Sequence, residues 1–183
     1  GVTPAENHQR SFLVASLIIA TWVQSIWPWR PWVAVTGETN SGKSTFFKTL
    51  GLYYGDQISM VIGSGTEAGL RQTLGTTSKI MLLDEFEDSK ERTKILDWLK
   101  NSGGGGSSVR GTPGQHAVRG AVAVIPWFGS TEAGMKKETE RNRYVHFNLA
   151  SRKGKPWFRM STPEEMAVFR AKSLAVLMRC WSR

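Results

Sequence analysis

Cysteine occurs once in the 183 residues, as Cys180. A single thiol closes no disulfide within the chain and builds no thiolate metal cluster, so a reducing compartment is the simplest setting. Histidine is scarce too. His8, His116 and His146 lack metal-ligand spacing, and no catalytic role is assigned to them. Long apolar runs are missing. The most apolar stretch, Phe12 to Val23, is bounded by His8, Gln9, Arg10 and Gln24. It falls short of the roughly 20 residues a bilayer requires, so it reads as a buried helix and not as a membrane span. No cationic region and small-residue cleavage site frame it as a signal peptide. The chain starts at Gly1, which reads as a segment of a longer protein. Acidic charge is also short: 15 Asp and Glu stand against 24 Lys and Arg, a net charge of +9. Such a surplus favours a polyanionic partner, nucleic acid first, and it gathers after Arg110, at Lys136-Lys137, Arg141-Asn142-Arg143 and Arg152-Lys153-Gly154-Lys155.

What is present suits one domain with a buried core. Pro4 to Ile26 predicts a helix with proline in its first turn. Trp27-Pro28-Trp29-Arg30-Pro31 breaks it, and Trp32 to Thr36 predicts a strand. Ser44 to Leu52 continues as a helix. Ser59 to Ile62 predicts a strand, and Thr66 caps a helix through Leu74. Ile80 to Leu83 predicts a buried strand, Glu91 to Leu99 a helix, and Ser102 to Ser108 a glycine loop. Val109 to Arg119 predicts a hairpin, Ala121 to Ile125 a strand, Glu132 to Glu140 a helix, and Tyr144 to Leu149 a strand. Thr162-Pro163-Glu164-Glu165 is a capping box opening a last helix to about Cys180. Most of the eight tryptophans, Trp22 and Trp98 among them, are expected in the core. Alternating strands and helices predict an α/β fold with a mainly parallel sheet covered on both faces. The expected layout is a helical segment over 1–31 packed on the core, a core over 32–149, and an extension over 150–183 with one helix.

Gly37-Glu38-Thr39-Asn40-Ser41-Gly42-Lys43-Ser44 matches the phosphate-loop pattern in full, with an apolar strand before it and a helix after it. Glycines let backbone approach phosphate oxygens, and the helix start offers N–H groups and a positive dipole end. The pattern predicts that Gly37 to Thr45 bind ATP. Lys43 is expected on the β- and γ-phosphates, and the Ser44 hydroxyl on Mg²⁺. Asp84-Glu85 ends a buried strand at the edge where open parallel sheets bind ligands. Asp84 is expected to hold Mg²⁺ through water, and Glu85 to orient and deprotonate the attacking water. Glu87 and Asp88 read as surface or subunit-contact residues.

A polar residue after the strand Ala121 to Ile125, Ser130 or Thr131, either senses the γ-phosphate or caps the next helix. Arg141 or Arg143, just before the last strand, is either an arginine finger reaching a neighbouring subunit's nucleotide or a contact to DNA phosphate or solvent. Arg110, His116 and Arg119 lie on the glycine-rich insertion, which either grips nucleic acid in the pore of a ring or is a surface loop.

Together, Gly37 to Ser44, Ile80 to Glu85, the strand ending near Ser130, and Arg141-Asn142-Arg143 before Tyr144 resemble the additional-strand ATPases of the AAA+ and superfamily 3 helicase group. More narrowly, they resemble helicase modules fused to primases in phage and plasmid replication proteins. The resemblance covers residues 32–149. It implies a three-layer αβα P-loop NTPase acting as a hexameric ring on single-stranded or forked DNA, with an arginine finger in trans. It also implies a primase domain N-terminal in the same full-length chain, and the cytoplasm of a bacterial host carrying the phage or plasmid. Superfamily 3 members usually place asparagine where Ser130 and Thr131 stand, and the 34 residues after Leu149 offer one clear helix, not a full helical lid. A DNA-independent switch or loader ATPase and a small-molecule kinase are the rival activities for the same loop.

Overall fold

The computed structural model describes residues 4–55, 59–62, 65–74, 79–87, 89–103, 123–131, 142–150 and 161–181. In chain order the elements are α1 (Pro4–Thr21), a 3₁₀ turn (Gln24–Ile26), β1 (Trp32–Thr36), α2 (Lys43–Tyr54), β2 (Ser59–Ile62), α3 (Glu67–Leu74), β3 (Ile80–Leu83) and α4 (Lys90–Gly103). They end with β4 (Trp127–Ser130), β5 (Tyr144–Asn148) and α5 (Pro163–Trp181). The five strands form one sheet in the order β2-β3-β4-β1-β5, and each neighbouring pair is parallel. The strand β4 thus stands between β1, which leads into the glycine loop, and β3, which carries the two carboxylates.

Strand residues alternate between two cores, as the pleat requires. Val33 and Val35 of β1, Ile80 and Leu82 of β3, and Trp127 of β4 join Phe47, Leu50, Tyr53 and Tyr54 of α2 on one face. Trp32, Met81, Leu83 and Phe128 point the other way, onto Leu70 and Leu74 of α3 and Ile95, Leu96, Trp98 and Leu99 of α4. Burying a side chain of this size contributes about 1.5–3 kcal/mol. Buried strands with helices on both sides make the three-layer α/β arrangement.

The flanking segments belong to the first face. Val14, Leu17, Ile18 and Trp22 pack against it, as does Met166 of α5. The Tyr54 hydroxyl donates to the Ile18 carbonyl (2.8 Å), and the Trp127 indole N–H donates to the buried Thr21 hydroxyl (3.2 Å). From α5, the Arg170 guanidinium donates to the Tyr53 carbonyl at the C-terminus of α2 (3.2 Å), where cations are favoured. Gly55 closes α2 with φ 87°. A β-carbon there would lie 2.7 Å from Arg170 Nη1, a mobile side-chain end, so it is the left-handed φ that calls for glycine at this cap. The capping box of α5 is formed: Glu165 N–H donates to Thr162 Oγ1 (3.3 Å), and Thr162 N–H donates to Glu165 Oε2 (2.9 Å).

Several expectations change. The first helix stops at Thr21 and resumes only as the 3₁₀ turn. It is not the buried helix expected: residues 5–13 are exposed, Phe12 to 72% and Leu13 to 44%, and only a stripe from Val14 onward meets the core. The fourth helix continues through Ser102 to Gly103, into the stretch read as loop. Residues 123–126 form no strand; β4 begins at Trp127. The Ile125 N–H is taken by the buried Gln24 side chain (2.7 Å), and pairing with β1 begins where the Pro126 carbonyl accepts Val33 N–H. Trp32, Trp98 and Trp127 are buried, whereas Trp27 and Trp29 are 40% and 52% exposed. The expected hairpin over 109–119 and helix over 132–140 lie outside the described residues, as do Asp88, Arg110, His116, Arg119 and Arg141. Among the described residues no helix is long and apolar enough to cross a membrane.

Candidate functional site

The site lies at the C-terminal edge of the sheet, where β1, β3 and β4 end side by side. The register sets Thr36 beside Ser130 and Leu83 beside Phe128. The residues following these positions converge on a cleft of about 540 Å³. Its walls are Glu38 to Thr45 on one side and Asp84, Glu85, Glu87 and Thr131 on the other.

The loop wall is built locally. Gly37 follows β1 in a space without room for a side chain: a β-carbon would stand 2.7 Å from the Leu149 carbonyl and 2.5 Å from Ser41 Oγ. The loop turns through Asn40 at φ 64° and Gly42 at φ 92°. Asparagine tolerates this left-handed region better than most residues, and glycine occupies it freely. The Ser41 N–H donates to the Glu38 carbonyl (3.1 Å), and α2 starts at once with Phe46 N–H on the Gly42 carbonyl (2.9 Å). No side chain caps α2, so its first N–H groups face the loop cavity. The Lys43 ammonium folds back over the loop, donating to the carbonyls of Gly37 (2.5 Å) and Glu38 (3.3 Å). Ser41 Oγ is buried without a hydrogen-bond partner, while Ser44 is exposed and Thr45 half-buried on the first turn.

The acidic wall is built across the sheet. Asp84 Oδ1 accepts the Glu85 N–H (3.1 Å). Glu85 sits at φ 60°, a conformation a non-glycine residue holds only where its surroundings impose it. The next residue is tied to β4: Phe86 N–H donates to the Gly129 carbonyl (2.6 Å), and the Phe86 and Phe128 rings stack with centroids 4.5 Å apart. Arg92 is buried and lies 5.2 Å over the Phe86 ring. Glu87 reaches back to Thr131, accepting its N–H (2.8 Å) and its hydroxyl (3.1 Å). A second cleft, of about 460 Å³, lies on the far side of this turn and shares Asp84, Glu85 and Glu87 as its wall.

Gly129 joins the two walls. A β-carbon on it would stand 2.7 Å from Phe47 of α2 and 2.9 Å from Asp84 Oδ1. Its bareness lets the Asp84 carboxylate lie beside the helix that follows the glycine loop.

The structure therefore brings Gly37 to Thr45, Asp84 and Glu85 together. Of the two sensor candidates, Thr131 lines the cleft, whereas Ser130 is a buried strand residue. Arg143 is at the opposite end of the sheet. Its carbonyl accepts Trp32 N–H (2.7 Å), and its guanidinium lies 5.7 Å from the Trp32 ring centroid. The length of β1, about 3.3 Å per residue, separates it from the loop of its own chain. Glu87, expected as a surface or subunit-contact residue, is exposed as expected and also lines the cleft, which no local pattern signals. Gly129 carried a faint signal, a lone glycine inside a strand. His146, assigned no role, accompanies the loop strand: its Nε2 lies 2.7 Å from the Thr36 hydroxyl, and partial burial lowers its pKa. No protein-family model and no curated protein matches this chain.

Proposed function

We propose that this chain binds ATP with Mg²⁺ in the cleft between Gly37–Thr45 and Asp84–Glu85, hydrolyses it, and uses the hydrolysis as a DNA motor of the ring-helicase type. The observation that carries the reading is the pairing of two walls. One is a left-handed glycine loop running into an uncapped helix start with Lys43 above it; the other is the carboxylate pair, with β4 inserted between the two strands that bear them. The residues fit the ligands. The loop leaves no room for a β-carbon at Gly37, and the buried Ser41 hydroxyl has no partner of its own. The Ser44 hydroxyl and Asp84 carboxylate form the hard-oxygen donor set magnesium takes, with water completing its shell. Magnesium, when bound there, supplies charge neutralisation for the phosphates.

The chain's own residues do the remainder. Lys43 exchanges its loop carbonyls for phosphate oxygens and offsets their charge. The N–H groups at the start of α2 orient the phosphates. Asp84 is held by the Glu85 N–H, with Gly129 making space for it. Glu85, turned by its left-handed backbone, takes the proton of the attacking water at its carboxylate. Arg143 has no access to this cleft in its own chain, so a finger at that position requires a second subunit, as in a ring. The net charge of +9 favours a nucleic-acid partner.

Steady-state ATP hydrolysis with and without single-stranded DNA tests the reading, with oligomeric state measured on the same samples. Stimulation by DNA, lost in Glu85→Gln and Lys43→Ala, is the expected result. Hydrolysis by a ring-forming sample that ignores DNA rejects the motor and leaves an ATPase switch. Absence of nucleotide binding in the wild-type chain rejects the site.

A further inference from the structure

We infer that Glu87 is a positioning residue for hydrolysis, acting as a bidentate clamp that holds Thr131 in the cleft and keeps Glu85 in its left-handed conformation. This rests on the ATPase reading above and adds a residue that neither the sequence motif nor the two-carboxylate pattern contains.

Three observations carry it. First, the two bonds from Glu87 span 44 residues of sequence and use both carboxylate oxygens, Oε1 on the Thr131 N–H and Oε2 on its hydroxyl. Pairing of β4 with β1 ends at Ser130, so the Thr131 N–H lies past the strand ladder and Glu87 supplies its acceptor. Charge-assisted pairs of this kind fix direction as well as distance. Second, both residues line the cleft that also holds Lys43, Asp84 and Glu85. Third, Glu85 lies between two fastened points. Its own N–H is on Asp84 Oδ1, its carbonyl accepts the Glu87 N–H (2.8 Å), and Phe86 is bonded to the Gly129 carbonyl. A left-handed glutamate relaxes unless both ends of its turn are held. Glu87 is the side chain that fastens the downstream end to Thr131, the residue after β4. Without it the Glu85 carboxylate swings, and a general base displaced by even a fraction of an ångström loses rate rather than binding.

The Thr131 hydroxyl has one proton, and here it goes to Glu87. That leaves its oxygen only as an acceptor, on a residue that lines the cleft and is positioned by one that need not touch the nucleotide. Glu87 is thus predicted to govern turnover and not affinity.

The test measures three quantities on the full chain: hydrolysis rate, affinity for a fluorescent ATP analogue, and thermal midpoint. The variants are Glu87→Gln, Glu87→Ala, Thr131→Val, Thr131→Ser and the double variant Glu87→Ala/Thr131→Val. The expected result is that Glu87→Ala lowers kcat by about tenfold or more with analogue affinity within about threefold of wild type. Glu87→Gln, which keeps one acceptor, falls between, and Thr131→Ser recovers most of what Thr131→Val loses. Because the pair acts as one unit, the double variant falls no further than about twofold below Glu87→Ala. Turnover at the wild-type rate in Glu87→Ala and Glu87→Gln, losses that multiply in the double variant, or a rate loss that only follows analogue affinity would each overturn the clamp. If Glu87→Ala does not fold, Glu87→Gln and the threonine variants decide by the same criteria. A wild-type chain that binds the analogue without hydrolysing ATP overturns the proposed function, and the clamp with it; an active wild type with indifferent variants overturns the clamp alone.

Discussion

The two walls of the cleft each contain a non-glycine residue in the left-handed region, Asn40 in the loop and Glu85 in the acidic turn. They hold it in different ways. The loop closes on itself: Ser41 bonds Glu38, Lys43 bonds Gly37 and Glu38, and α2 starts on Gly42. These bonded partners lie within a few residues, with the close approach of Gly37 to the Leu149 carbonyl as a contact from outside, so most of the shape travels with the peptide. The acidic turn is held from β4, through Gly129 and Thr131, more than 40 residues away. The proposed phosphate loop can therefore be written as a short motif, whereas the placement of the proposed base beside it depends on the packed sheet. Perturbing the loop should abolish binding, and perturbing the turn should spare binding while turnover falls.

The largest effect is expected from Gly37→Val, because the clash is with the Leu149 backbone carbonyl and not with a side chain that can step aside. Nucleotide affinity, read by fluorescent-analogue titration, should drop on the order of a hundredfold, with a lowered thermal midpoint. Lys43→Ala should weaken binding comparably at an unchanged midpoint. Equal melting of the two would show that the loop is not held by its close approach to Leu149.

Gly129→Ala comes next. Its β-carbon meets both Phe47 and Asp84, so it overpacks the join between the walls and should cost about 1–3 kcal/mol of stability by denaturant unfolding. Turnover should fall more than affinity, since the displaced group is on the acidic side. The opposite order would mean that α2 moves instead of Asp84.

A control far from the comparison is Thr162→Ala. It removes the capping box of α5 and should cost about 1 kcal/mol. Binding and turnover should stay as they were, because α5 meets the body through Met166 and Arg170 on α2 and not through the cleft. A change in nucleotide affinity would tie the extension to the loop.

The smallest effect concerns pH. Partial burial lowers the pKa of His146 beside Thr36, so the folded chain binds this proton less readily than the unfolded chain. Stability from the neutral imidazole is present above the ordinary histidine value of about 6.5 and is lost as pH falls from there toward the lower folded value. Thermal midpoints across that window should decline more in the wild type than in His146→Gln. Parallel curves would show that the ring is as well solvated folded as unfolded.

Much of this molecule was legible in its sequence. The strands β1, β2 and β3, the capped helices α3 and α5, and the loop from Gly37 to Ser44 all follow from apolar periodicity, caps and glycines within a dozen residues. The start of β4 was not legible. The apolar run Ala121 to Ile125 looks like the strand, but the Gln24 side chain takes the Ile125 N–H across 101 residues and the ladder starts later. Nor was the exposure of Phe12 and Leu13, because a helix's apolar content does not say which stripe meets the sheet.

By itself, the sequence determined an alternating α/β chain with a glycine loop before a helix and a carboxylate pair after a strand, since each is a matter of local periodicity and backbone freedom. The tertiary structure alone decided the strand order β2-β3-β4-β1-β5, the convergence of loop and carboxylates on one cleft, the choice of Thr131 over Ser130 as its lining, and the recruitment of Glu87 and Gly129. These rest on contacts between residues distant in sequence, which form only once both faces of the sheet are packed.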